Sequence, residues 1–173
     1  MTKRNKPKPL AEMALIGEIV TQAKFAEIAA HQLTNTTDFV ETWAAIQSIL
    51  VATANISKIL WPVRQQNKAR GECLRELLGV DEDNLLSDRT FRNHFEHYDE
   101  RIEKWFENNN SAVYMDSAID SFEPTPFSLP KFYHRSYNPM TKMLSFRGES
   151  MDLAAILTEL AKIREKCRGF ALP

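Results

Sequence analysis

The sequence predicts an all-α fold: an up-and-down bundle of four main helices plus a short helix, with a β-hairpin inserted before the last helix. Three observations lead there. The 173 residues include only five glycines and eight prolines, too few for a turn-dense β chain. Long stretches free of both place apolar residues three and four apart, the period of a helix with one buried face. Between residues 111 and 149 that period stops, and Pro124, Pro126, Pro130 and Pro139 accumulate.

The chain opens on a basic tail, residues 1–9, in which Pro7 and Pro9 discourage helix. Residues 10–170 are read as a single domain of ordinary size. A first helix runs from Leu10 to about Leu33 on Met13, Ile16, Val20, Ala23 and Ile28. The segment 34-TNTTD-38 then offers Thr37 or Asp38 as a cap for a second helix, with Glu41 in its first turn. That helix, about 38–61, is apolar nearly all round, as a central element is. Gln47, Ser48, Asn55, Ser57 and Lys58 interrupt it, so a buried core helix is expected and not a membrane span.

Pro62 stops or kinks the second helix. A short amphipathic helix over 64–78 carries Cys73, Leu74, Leu77 and Leu78 and ends at Gly79. Ser87 is the expected N-cap of a fourth helix, 87–106. Further on, 131-KFYHRSY-137 and 142-KMLSFRG-148 read as strands joined by the turn 138-NPMT-141, a hairpin over about 131–148. Ser150 and Asp152 start the closing helix, with Leu153, Ile156, Leu157, Leu160 and Ile163 on one stripe.

Composition excludes several functions. A formal net charge of −1 and a pI near 6.4 give no basic excess of the kind that marks a nucleic-acid surface. No phosphate-cradling glycine loop, serine-hydrolase elbow or dinucleotide fingerprint occurs. Cys73 and Cys167 lie far apart without CxxC spacing and are expected to be reduced thiols of a cytoplasmic protein. The basic start leads into a helix holding Glu12, Glu18 and Lys24, and is not read as a secretory signal.

Chemistry-bearing residues concentrate in 87-SDRTFRNHFEHYDERIEKWF-106. On a helix, Phe91, Phe95, Tyr98, Ile102 and Trp105 fall in one narrow arc, the core face. Asn93, His97 and Glu100 lie about 130° to 190° away from it. His97 therefore faces water or something outside its own core. Two readings of that face are open. One is a solvated surface whose charges pair one turn apart. The other is a site in which Arg92 supplies a fixed cation, Asn93 an orienting amide and His97 a titratable imidazole, the parts needed to move protons near a phosphate.

The run Arg92-Asn93-His94-Phe95-Glu96-His97 resembles the motif of HEPN domains, an Arg and usually a polar residue, then a His after four to six intervening positions. The resemblance implies a small helical bundle with the motif on a late helix, to which the hairpin is an addition. Many such domains are metal-independent endoribonucleases, of toxin–antitoxin or defence type; others only bind or assemble. It implies a homodimer whose cleft is lined by the motif, an RNA substrate, and an antitoxin or other protein as a partner. His97 would transfer the proton as the RNA 2′-hydroxyl attacks its neighbouring phosphate. Arg92 would stabilise the phosphorane, and Asn93 would orient the phosphate or His97. No cofactor and no metal are expected. The alternative within the same fold is a non-catalytic dimeric interaction module in which Arg92 and His97 brace the subunit interface.

Other signals are weaker. His94 and His97 are three apart, yet no histidine has the Glu-x-x-His partner of a di-metal bundle. His134 in the hairpin would be needed to complete a zinc site, and none is expected. His31 is read as a surface histidine near a helix end. Lys131, His134, Arg135, Lys142 and Arg147, among Phe132, Tyr133, Tyr137 and Phe146, either stack single-stranded nucleic acid or split by strand alternation, with aromatics inward and bases toward water.

Overall fold

The computed structural model describes residues 9–108, 114–119 and 133–170, with the side chains of residues 91, 92 and 94 outside the description. Apart from Pro9, the expected basic tail lies outside the described residues. The protein is mainly helical, as the sequence predicts, and where only a two-stranded hairpin was expected it contains a four-stranded mixed sheet. The single domain expected over 10–170 is divided by its contacts into two compact units, Met1–Arg89 with Ile156–Pro173, and Thr90–Ala155.

The first unit is built on a helical hairpin. Helix α1 spans Pro9–Asn35, with proline at the first position, where its missing N–H costs nothing. It buries Ile16, Ile19, Ala23 and Ala26, spaced three and four apart, so the face against its neighbours is lined largely by small side chains. This is not quite the expected stripe. Leu10 and Ile28 are 72% and 67% exposed: the alanines mark the buried face, and the bulkier residues stand beside it.

Helix α2, Phe39–Leu60, starts at Asp38, whose Oδ1 accepts from the Glu41 amide at 2.9 Å. Of the two candidate caps, Asp38 serves. Asn55 of α2 donates to Gln22 of α1 at 3.2 Å, and Gln22 donates to Glu18 at 2.7 Å. This polar chain satisfies the nearly buried Gln22 amide.

Helix α3, Lys68–Leu78, begins four residues later than the sequence suggests, after a 3-10 turn at Gln65–Asn67. It ends on Gly79 in the left-handed region, φ 59°, with the Val80 amide donating to Arg75 O at 2.9 Å. Arg75 is buried and donates to Leu60 O, capping the end of α2 with a cation. The Trp61 indole donates to Glu82 O at 2.9 Å. The last helix, α6 (Leu153–Cys167), buries Ile156, Leu160, Ile163 and Cys167 on one stripe. At its surface Glu159 accepts from Asn84 at 2.6 Å, and Arg164 is paired with Glu27.

In the second unit the expected helix 87–106 is replaced by two. Ser87 is no N-cap: it closes a 3-10 turn, Leu85–Ser87, whose cap is Asn84. Asp88 is extended, and helix starts only at Thr90. Helix α4 covers Thr90–Glu96 and α5 Tyr98–Asn108, with a turn at His97 between them. The hydrogen-bond ladder nevertheless crosses the junction: His97 N–H donates to Asn93 O and Arg101 N–H to His97 O, both at 3.1 Å.

The sheet order is β1 (Ala118–Ile119), β2 (Arg135–Asn138), β3 (Met143–Phe146), β4 (Glu149–Asp152). β1 runs parallel to β2; β2–β3 and β3–β4 are antiparallel. Asn138 Oδ1 accepts from the amides of Met140 and Thr141, which shapes the first connection. Arg147 and Gly148 form the second, both with positive φ (49° and 89°), as the tight turn of a two-residue hairpin requires. The sequence reading placed Ser150 at the start of the last helix. Instead, residues 149–152 form β4, and Asp152 alone caps α6, accepting from Ala154 and Ala155 amides.

Candidate functional site

Asn93 lies exposed on α4, and His97 follows one turn later at the junction with α5. The His97 side chain is 53% exposed, and its Nδ1 stands 3.4 Å from Glu100 Oε1, itself 71% exposed. At that exposure the imidazole is accessible to an incoming group. Arg92 occupies α4 between Thr90 and Asn93, but its side chain lies outside the described residues. Along the opposite face, Trp105 is buried and Phe95, Tyr98 and Ile102 are half-buried. Glu96, Asp99, Glu100, Glu103 and Glu107 are exposed on the helices either side of His97.

A second constellation, whose acidic centre the sequence did not reveal, sits in the same unit. Arg135, the first residue of β2, donates from Nε to Asp116 Oδ1 at 2.9 Å and from Nη2 to Asp116 Oδ2 at 2.6 Å. Its Nη2 also donates to Ser117 Oγ at 2.9 Å. The Tyr98 hydroxyl donates to Asp116 Oδ2 at 2.5 Å, and the guanidinium lies over the Tyr98 ring, 4.0 Å from its centroid.

Burial acts to raise the Asp116 pKa, but the Arg135 and Tyr98 hydrogen bonds and the Arg135 charge together outweigh it and hold the carboxyl below its ordinary value. Burial, followed by hydrogen bonds to Asp116 and Tyr114, pushes the Tyr98 hydroxyl well above the usual phenol range. Tyr98 is therefore a fixed donor. Arg135 spends its fork on Asp116 and Ser117, so this constellation braces the sheet against α5 rather than offering a cation to a ligand.

His134 is fully buried. Its ring lies edge-on to Phe146 and Tyr98, with centroids 4.7 Å and 5.4 Å away, and 5.8 Å from Tyr114. Tyr137 and Phe146 are buried as well, while Arg147 is exposed. Alternation thus holds for the aromatics, but the basic set does not turn wholly to water, because His134 is interior and Arg135 is locked in an ion pair. Lys131 and Phe132 lie outside the described residues.

Among the described residues, no group of three or more His, Cys, Asp or Glu side chains is placed to hold a metal ion. Both cysteines are free thiols. Cys73 lies 3.5 Å from Glu12 Oε1, and burial pushes the Cys167 thiol up to about 11, far from thiolate chemistry at neutral pH. His31 is exposed beside Asn35. Helix α2 has the length and apolarity to cross a membrane, and 56% of that window is buried within the protein. No protein-family model matches the chain, and neither a curated protein nor a solved structure matches it significantly.

Proposed function

We propose that the protein is a HEPN-like, metal-independent endoribonuclease of toxin or defence type, acting on RNA at the cleft of a homodimer in the cytoplasm. On this reading the helices are the family's up-and-down bundle, and β2–β3 is its inserted hairpin. The observation that carries the proposal is the half-exposed His97 imidazole, one turn after Asn93, with Arg92 next in the chain. The chemistry needs nothing more than these groups. His97 takes the 2′-hydroxyl proton as the 2′-oxygen bonds to the adjacent phosphorus, and the resulting imidazolium gives it to the 5′-oxygen as the P–O5′ bond breaks. Arg92 offsets charge on the phosphorane and Asn93 orients the phosphate. The products carry 2′,3′-cyclic phosphate and 5′-hydroxyl ends.

A second reading is favoured by one observation. Five exposed carboxylates, Glu96, Asp99, Glu100, Glu103 and Glu107, lie on the helices either side of His97, and such a field opposes phosphate. On that reading the protein is a non-catalytic dimeric interaction module of the same fold, with an antitoxin or another protein as its partner.

Incubation of the chain with mixed RNA in EDTA separates the two. Cleavage with cyclic-phosphate ends, reduced at least about 100-fold in His97→Ala and Arg92→Ala, is the expected result. His97 is exposed, so the His97→Ala melting midpoint stays that of the wild type. Equal cleavage by His97→Ala, or none by any form, rules out the ribonuclease.

A further inference from the structure

Among the described residues, arginines drawn partly or wholly out of water have their fork engaged. Arg70 donates to Lys58 O and Ile59 O, Arg75 to Leu60 O, Arg135 to Asp116 and Arg164 to Glu27. Arg89 has a partner too. Arg101 is the exception. It is half-buried on α5, its Nε is enclosed, and its guanidinium has neither a hydrogen-bond acceptor nor a carboxylate among the described residues. The sequence gives the reason: the positions three and four away are His97, Tyr98, Lys104 and Trp105, and none is acidic, so no counter-ion stands one turn away. A cation taken partly from water costs free energy until something accepts its protons.

Arg101 is also tied to the candidate site. Its N–H donates to His97 O at 3.1 Å, which fixes the two residues one helical turn apart. Their side chains leave the axis roughly 40° apart in direction and about 6 Å apart along it, close to the spacing of neighbouring phosphates on a nucleic-acid strand. The α5 carboxylates Asp99, Glu100, Glu103 and Glu107 lie roughly 100° to 160° round the helix from Arg101. A phosphate reaching Arg101 therefore approaches over the side that these four leave clear.

We infer that Arg101 is a second phosphate-binding residue beside His97, holding the phosphodiester one nucleotide away from the bond that His97 acts on. The ligand is then an RNA strand of several nucleotides and not a free nucleotide. The planar fork of arginine suits it, because two N–H groups can meet two oxygens of one phosphate. The choice of RNA as the anion rests on the ribonuclease reading; the geometry of Arg101 does not. Arg101 binds and positions the strand, and takes no part in the proton transfers.

Fluorescence anisotropy of the full chain with a short 2′-O-methyl RNA strand, which resists cleavage, tests this across a salt series. The wild type is expected to bind, and Arg101→Gln to weaken binding at least about 10-fold. The slope of log K against log salt flattens by about 0.7, the share of one phosphate contact on a single strand. Arg101→Lys keeps the charge and keeps that slope. Arg101→Met keeps the packing of the stem and serves if the glutamine variant fails to fold. Arg168→Gln, exposed and paired with Glu165, binds as the wild type does. On cleavable RNA, Arg101→Gln raises KM and leaves kcat within about twofold, whereas His97→Ala loses kcat. Binding through Arg101 without cleavage upholds the inference and ends the ribonuclease reading. Binding and cleavage both indifferent to Arg101 do the reverse. A wild type that binds no RNA, or one that takes a polyglutamate peptide through Arg101 in its place, overturns the inference.

Discussion

Arg135 and Asp116 meet fork to fork, 2.9 and 2.6 Å apart, with less than a quarter of either side chain exposed. Nineteen positions separate them in the chain. Their pairing ties the segment leading into β1 to the start of β2, and through Tyr98 it reaches α5. A carboxylate so enclosed is stable only with its counter-ion present.

Arg135→Ala is expected to destabilise the second unit by about 3 kcal/mol, since it leaves a mostly buried carboxylate uncompensated. The wild type shows the matching pH dependence. The folded-state pKa of Asp116 is depressed, so the stabilisation is complete above the unfolded value of about 3.9. It is lost as pH falls through the lower folded value. Urea denaturation from about pH 7 to about pH 2, followed by fluorescence, reads this, because Trp105 reports on the second unit. Asp116→Asn removes that acid limb; an unchanged limb would show that other carboxyls carry it.

Gly71→Ala reverses its usual sign. Within a helix alanine is ordinarily favoured by about 1 kcal/mol. Here a Cβ would overlap the Pro62 ring and stand 2.6 Å from Leu60 O, a backbone atom that cannot swing aside. A net loss of about 1–3 kcal/mol is expected, visible as a lower thermal midpoint. A gain would mean that the end of α2 gives way without cost.

The Arg147–Gly148 turn yields an opposed pair of variants. Arg147 holds a φ of 49° that asparagine tolerates better, so Arg147→Asn should stabilise by about 0.5–1 kcal/mol. Gly148→Ala places a side chain at φ 89° and should destabilise by about 1–2 kcal/mol. Thermal melts of both variants check the signs, and matching signs would be inconsistent with this turn.

What was legible in the sequence is what is local. Asp38 with Glu41, and Gly79 after Leu78, are caps written within a few positions, and each acts where the spacing suggests. The buried side of α1 was harder to read, because Ala26 and Ala29 mark it while Ile28 and Leu10 carry more hydrophobicity in sequence. β4 escaped because four residues, two of them acidic, imitate a helix start; the Arg-Gly pair before them was the missed signal. Asp116 could not be found from its neighbours at all. Its role comes from Arg135, distant in sequence, and no period or motif links them. His97 was read as facing outward, and its side chain is half-exposed.

The brevity of two connections bears on how the chain finds its shape. Only residues 36–38 separate α1 from α2, and the meander of β2, β3 and β4 closes through turns of four and two residues. Short loops cost little entropy to close, so the helical pair and the three-stranded ribbon are the cheap places for order to begin. The Asp116–Arg135 clasp must await the larger closure between them. Pulsed amide exchange during refolding would then record early protection in the two hairpins, with β1 acquiring its protection last.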